Sequence, residues 1–210
     1  MLYRTIIFDF DGTIADTMEE GLTIFNRIAP EYGIRQIDRE EIMELRHLSI
    51  NQLIDHMGIS KTKVPIFIAR GTMMMRGSVA RLPLIAGMQE MLLALRPKVD
   101  RFGILTSNAV SNVELFLEGH GIRDLFDFIS STSKLTGKSR YLKSIRRQYS
   151  LKLGEMLYVG DELRDLKASK KAGVPFAGVT WGFNSREALA KENPELLVDH
   201  PDELLALAGH

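Results

Sequence analysis

The chain contains no cysteine, which removes disulfides, thiolate nucleophiles and zinc–thiolate sites together. That absence suits a reducing, cytoplasmic setting. No apolar run approaches membrane-spanning length. The N-terminus enters strand-like sequence within a few residues and has no basic stretch leading into a signal-length apolar core. Net charge is absent as well: 27 Lys and Arg stand against 27 Asp and Glu, so no global field favours nucleic acid or an anionic membrane. An anionic ligand has to be drawn by locally placed positive charge. Repeats, low-complexity tracts and long charge runs are also missing. What remains is 210 residues, 45% hydrophobic and 26% charged, enough for one buried core with a small insert.

Short β-rich runs alternate with helical patterns over much of the chain, the mark of an α/β protein with a parallel sheet and crossover helices. Strands are expected near Thr5–Phe10, Phe102–Thr106, Phe128–Ser130, Met156–Val159 and Phe176–Thr180, with a short edge strand at Leu196–Val198. Met88, Met91, Leu92 and Leu95 form a helical stripe that Pro97 ends, and Tyr141, Leu142, Ile145 and Tyr149 form another. A last helix begins at Pro201.

Residues 15–83 break this alternation, with one helical pattern following another. Asp16 with Glu19, Asp38 with Glu41, and Ser49 with Gln52 have capping-box spacing. The reading is a helical cap at 15–83 inserted into a core made of 1–14 and 84–210. His47, His56 and His120 lack metal-ligand spacing and are expected at the surface. Met73, Met74 and Met75 are expected to pack against the cap's own helices.

The most informative stretch is Asp9-Phe10-Asp11-Gly12-Thr13, placed after the apolar run Thr5–Phe8. On an extended strand, side chains at i and i+2 share a face, so Asp9 and Asp11 should emerge on one side. Such a pair repels itself unless it shares a cation or a proton. Thr106-Ser107-Asn108 joins a strand end to a helix start, where free N–H groups can cradle phosphate. Lys138 opens an amphipathic segment and can neutralise a nucleophile and a transferring phosphoryl group; Lys134 and Lys143 compete with it. Gly160-Asp161-Glu162-Leu163-Arg164-Asp165 follows another strand, putting Asp161 and Asp165 on one face of a helical turn. In an open parallel sheet all of these converge beyond the carboxyl ends of the strands.

Carboxylate pair, strand-end Thr, lysine and second acidic cluster, in this order, resemble the haloacid dehalogenase-like (HAD) hydrolases over essentially the whole chain. The cap's position, Gly178–Gly182 and Val198–Pro201 look like the phosphoglycolate-phosphatase branch. The resemblance implies a Rossmann-like core and a Mg²⁺-dependent phosphatase acting on a small phosphorylated metabolite, as monomer or homodimer. Asp9 is then the nucleophile and Asp11 the general acid and base. Mg²⁺ is held by the side chains of Asp9 and Asp161 and the carbonyl of Asp11, while Asp165 and Glu162 order the metal's surroundings and support Lys138. Gly12, Thr106, Ser107, Asn108 and Lys138 bind phosphate. Lys138 departs from the family's frequent Lys-Pro-x-Pro, since Ser139 and Arg140 follow it. Arg46 falls where related caps present a polar residue to substrate, and could clamp a carboxylate. The rivals are a phosphosugar mutase of the same fold, a non-catalytic HAD-like binding module, and a phosphoaccepting receiver domain, which lacks such a helical insert.

Overall fold

In the computed structural model, which describes residues 3–132 and 137–208, the strands join one six-stranded, all-parallel sheet. They are β1 (Thr5–Phe8), β2 (Arg101–Thr106), β3 (Phe128–Ser131), β4 (Met156–Gly160), β5 (Phe176–Val179) and β6 (Leu196–Val198). Their spatial order is β3-β2-β1-β4-β5-β6. The chain therefore starts mid-sheet, builds to one side, then crosses β1 to build the other. The carboxyl ends of β1 and β4 meet at that reversal, where open parallel sheets place their ligand site.

Alternation along the strands sends side chains into two apolar layers. Ile6 and Phe8 of β1, Phe102 and Ile104 of β2, and Leu157 and Val159 of β4 pack with α5 (Met88–Leu95) and α6 (Val110–Gly119). Ile7, Leu105, Tyr158 and Phe176 face the other way, against Leu142 and Ile145 of α7 (Lys138–Gln148) and Leu166 of α8 (Leu163–Ala172). A short α9 (Arg186–Lys191) precedes β6, and Pro201–Leu207 is a 3-10 helix.

Between β1 and α5 lies an all-helical segment: α1 (Met18–Ile28), α2 (Arg39–Leu45), α3 (Ile50–His56) and α4 (Val64–Met75). Asp38 accepts the Glu41 N–H, and Ser49 forms a reciprocal capping box with Gln52. Outgoing and returning linkers pair at its root: Asp16 N donates to the Pro83 carbonyl at 2.9 Å and Ile85 N to that of Ile14 at 3.0 Å. Ala29, Ile34, Ile37, Ile42 and Met57 make its small apolar centre.

Several local expectations need correction. β1 stops at Phe8 because the Phe10 carbonyl accepts the N–H groups of Thr13, Ile14 and Ala15, curling the chain. Asp9 and Asp11 thus leave the strand through a tight turn, with no shared strand face. Helix α1 begins at Met18 behind Thr17, so Asp16 does not cap it. Met73 is exposed and Met75 packs on the sheet's own core. His120 is half-buried, with Nε2 2.9 Å from the Leu82 carbonyl and its ring 4.4 Å from that of Phe116. The Leu82 carbonyl comes from 38 residues away, which local pattern does not reveal.

One close approach tests the sheet's packing. The ring of Phe128 covers Gly103, so that a Cβ there would sit 2.1 Å from the ring. Gly103→Ala is expected to lower stability by about 1–3 kcal/mol through overpacking, read as a reduced urea midpoint. An unchanged midpoint would show that the ring moves aside freely.

Candidate active site

Apart from Arg46, which follows the C-terminal end of α2, the predicted site residues sit in the segments that follow strand ends or open helices. Asp9 immediately follows β1, Thr106 ends β2, Lys138 opens α7, and Asp161 immediately follows β4. Sheet twist and parallel register bring them to the same edge. Lys138, only 4% exposed, is the bridge: its Nζ lies 2.6 Å from Asp9 Oδ2 and 2.6 Å from Asp165 Oδ1. Of the alternatives to it, Lys143 is exposed on α7 and Lys134 lies outside the described residues. The Tyr158 hydroxyl, 3.3 Å from Asp165 Oδ1, also donates to that carboxylate.

Asp11 stands apart from this pair. Asn108 Nδ2 donates to both of its oxygens, at 3.0 and 3.1 Å. Asn108 is fixed in turn: its N–H donates to Thr106 Oγ1 at 2.9 Å, and its Oδ1 accepts from Ala109 N and from Asn112. The Thr106 hydroxyl therefore serves as the acceptor that shapes this loop. Ser107 Oγ accepts from Arg164 Nη2 at 3.2 Å.

Asp161 is locked by the surrounding loops. Its Oδ1 accepts from the Thr13 hydroxyl at 3.0 Å and its Oδ2 from the Phe183 N–H at 2.7 Å. Gly12 lies against it at φ +71°, where a Cβ would come 2.4 Å from Asp161 Oδ2. That position needs glycine for both space and backbone angle.

The electrostatics follow from crowding. Burial pushes the Asp9 carboxyl well above its ordinary range; Lys138 opposes this, and the charges of Asp165 and Asp161 add to it. Burial raises Asp11 to about 6 against the Asn108 hydrogen bond and the nearby Arg164 and Lys138, with Arg164 the stronger of the two cations there. At Asp9 the order is reversed, Lys138 acting more strongly than Arg164. Burial, then Glu162 and Asp165, lift Asp161 to about 7. Asp165 alone is held low: burial would raise it, but Lys138 and Arg164 prevail. The same carboxylates keep Lys138 protonated in spite of its burial.

Oxygen atoms of Asp9, Glu162 and Asp165 lie within 4.8 Å of one another, and Asp165 Oδ2 is buried without a hydrogen-bond partner among the described residues. An all-oxygen, anionic set with an orphaned acceptor fits a hard divalent cation such as Mg²⁺. Glu162 thus lies within this set and also pairs with Arg164 at 2.6 Å.

Arg46 is placed otherwise than its cap position suggested. Its Nε donates to the Phe183 carbonyl at 3.0 Å, and its Nη2 to those of Thr180 at 2.9 Å and Gly182 at 2.7 Å. The guanidinium ties the α2–α3 turn to the loop after β5. Asn184 completes this tie, donating to the carbonyls of Arg46 and Leu48 and accepting the Leu163 N–H at the start of α8. Asn184, Thr13, Tyr158 and Arg164 were not singled out from the sequence. For Arg164 a signal existed: it stands three residues after Asp161, within one helical turn.

Above these residues a cavity of about 390 Å³ runs from Asp11, Gly12, Ser107, Asp161, Glu162 and Arg164 into the helical segment. There its walls are apolar, with Leu22, Phe25, Ile42, Leu53 and Phe67 among them.

The sequence matches the family described as haloacid dehalogenase-like hydrolase over residues 6–179. A phosphoglycolate phosphatase from Synechococcus elongatus is 33% identical over 96% of this chain and 95% of its own. The pyrophosphatase PpaX of Bacillus pumilus is 27% identical over 98% of this chain and 96% of its own. Among solved structures, a haloacid dehalogenase-like family hydrolase from Streptococcus pneumoniae has a TM-score of 0.81 at 20% identity, covering 97% of each chain. CbbY of Rhodobacter sphaeroides in complex with xylulose-1,5-bisphosphate has a TM-score of 0.75 at 22% identity, covering 100% of each. These two share the fold.

The raised carboxylates carry a pH signature. Asp11 and Asp161 bind protons more tightly folded than unfolded, so their contribution to stability is complete below about pH 4. It is lost as pH rises through about 6 for Asp11 and about 7 for Asp161. Asp165, held low, acts in the opposite sense, its contribution present above about pH 4. Metal-free protein is therefore expected to lose several degrees of Tm between pH 5 and 8, since about 1 kcal/mol moves Tm by ~2–4 °C at this size. Mg²⁺ should raise Tm more at pH 8 than at pH 5. A flat metal-free profile would remove carboxylate crowding as a feature of the site.

Proposed function

The chain belongs to the haloacid dehalogenase-like hydrolases, and on that premise we propose that it is a Mg²⁺-dependent phosphatase hydrolysing a small phosphomonoester through a phosphorylated Asp9. The observation that carries this reading is the Asp9–Lys138–Asp165 bridge, beside a separately held Asp11 raised to about 6. Two carboxyls of one short motif sit in different surroundings, which is how a nucleophile and an acid–base group are told apart.

Asp9 attacks phosphorus; its new bond to phosphorus forms as the ester oxygen departs. Asp11 gives that oxygen its proton, then takes one from the water that attacks phosphorus and frees Asp9. A group near 6 serves both steps at neutral pH. Asn108 holds Asp11 by both oxygens and keeps it off Lys138. Lys138 keeps its proton and balances charge as it builds on the phosphoryl group. Thr106, Ser107 and Asn108, with the adjoining backbone N–H groups, cradle the phosphate. Mg²⁺, when bound among Asp9, the Asp11 carbonyl and Asp161, with Glu162 and Asp165 beside them, would supply further charge neutralisation.

Residues 15–83 act as the cap over a core of 1–14 and 84–210, excluding water from the first step. The cavity's helical wall has no charged side chain among the described residues, so a second phosphate would find no cation on the side of the helical segment, where a sugar bisphosphate mutase needs one. Hydrolysis is favoured accordingly. Phosphoglycolate, named for the relative from Synechococcus elongatus, is the first substrate to assay. No helix among the described residues is long and apolar enough to cross a membrane; action in the cytoplasm, as monomer or homodimer, is part of the proposal.

Asp9→Asn is expected to leave the fold intact and phosphate release at background; a folded, active variant would overturn the nucleophile. Asp11→Asn should lose about 10²–10⁴-fold in kcat. EDTA should stop release and Mg²⁺ restore it, whereas turnover that survives thorough chelation would remove the metal from the mechanism.

A further inference from the structure

Two arginines stand near the site, and the structure uses them differently. Arg46 spends Nε and Nη2 on three backbone carbonyls. Arg164 spends only Nη2, on Glu162 Oε1 at 2.6 Å and Ser107 Oγ at 3.2 Å. Its Nε is closed off from solvent without a partner among the described residues and cannot meet a ligand, while its Nη1 bonds no described residue and supplies the spare donors. A guanidinium offers five N–H donors, and burying them unpaired is unfavourable. Arg164 is also the one lysine or arginine among the described residues that line the cavity.

Position assigns the spare donors a target. Lys138 sits on Asp9, whereas Arg164 lies beside Ser107 and lines the cavity together with Asp11. The rest of the cavity above is apolar, so an anion on the leaving group would shed water there. It would find one cation, presented from the core, paired through Nη2 with Glu162 and flanked by Asp11 and Asp161. Low polarity strengthens that contact.

We propose that Arg164 is a specificity-determining residue that binds an anionic oxygen on the leaving group, so that the enzyme selects phosphate esters whose leaving group is itself an anion. This deepens the phosphatase reading and rests on it. Phosphoglycolate and pyrophosphate, the compounds for which two relatives are named, both have a leaving group of this kind.

The test compares 2-phosphoglycolate with 2-hydroxyethyl phosphate, which replaces the carboxylate with a neutral group of similar length. Wild type should favour phosphoglycolate. Arg164→Gln should lower the ratio of the two kcat/KM values by about 10- to 100-fold, the range of one charged hydrogen bond, chiefly through KM for phosphoglycolate. Arg164→Lys should restore part of the ratio. Calorimetric binding of the same two compounds to Asp9→Asn, with and without Arg164→Gln, should show the same loss in Kd. Thermal melts separate an unfolded variant from a specificity change, and the lysine variant keeps the charge if glutamine does not fold. An unchanged ratio, or a wild type that prefers 2-hydroxyethyl phosphate or alkyl phosphates, overturns the assignment. If wild type releases phosphate from no ester, including p-nitrophenyl phosphate, the phosphatase reading fails. The calorimetric preference then still decides whether Arg164 reads an anion.

Discussion

Carboxylate crowding at the carboxyl ends of β1 and β4 is the constraint on which the rest of this molecule depends. Asp9, Asp161 and Asp165 are each 1% exposed or less, and Asp11 and Glu162 adjoin them. Removing so many like charges from water is strongly unfavourable unless cations and hydrogen-bond donors are fixed around them. Most of the local architecture follows. Lys138 is buried to bridge two of the carboxylates, Asn108 spends its amide on a third, and Thr13 and the Phe183 N–H hold a fourth. Gly12 must lack a side chain because Asp161 occupies the space. The proton affinity that remains after these compensations is what makes a divalent cation welcome.

The same constraint explains how the helical segment is attached. The α2–α3 turn does not rest on apolar contact alone; Arg46 and Asn184 bind it to the loop that positions Asp161 through Phe183 N–H. Asn184 also receives the first N–H of α8, the helix carrying Arg164 and Asp165. Movement of the helical segment would thus be felt at the buried carboxylates through a few hydrogen bonds. The cavity beneath is apolar along the helical segment, and its charged side chains, Asp11, Asp161, Glu162 and Arg164, are all on the core side.

Local chemistry was enough to locate much of this. A strand running into Asp-x-Asp-Gly, a strand-end Thr, a helix-opening Lys and Gly-Asp after a further strand mark positions that a parallel sheet must bring to one edge. Capping at Asp38 and Ser49 was legible because a cap is satisfied within four residues. Asp16 has the same spacing but no such role, because α1 starts one residue later, behind Thr17. The end of β1 was misplaced for a related reason: the turn closed by the Phe10 carbonyl leaves the apolar pattern unbroken.

The sequence by itself determined the fold class, the order along the chain of the groups that meet at the sheet's edge and the absence of thiol chemistry, since these depend on residue type and short-range periodicity. Only the tertiary structure decided which arginine is spent and which is spare. Arg46 and Arg164 are alike as residues, and each sits near a helix end. What separates them is the distribution of acceptors around each, three carbonyls from residues 180–183 in one case, a carboxylate and a hydroxyl on a single nitrogen in the other. All of these acceptors but Glu162 are supplied by chain 57 to 137 residues away, and long-range packing is what brings them there.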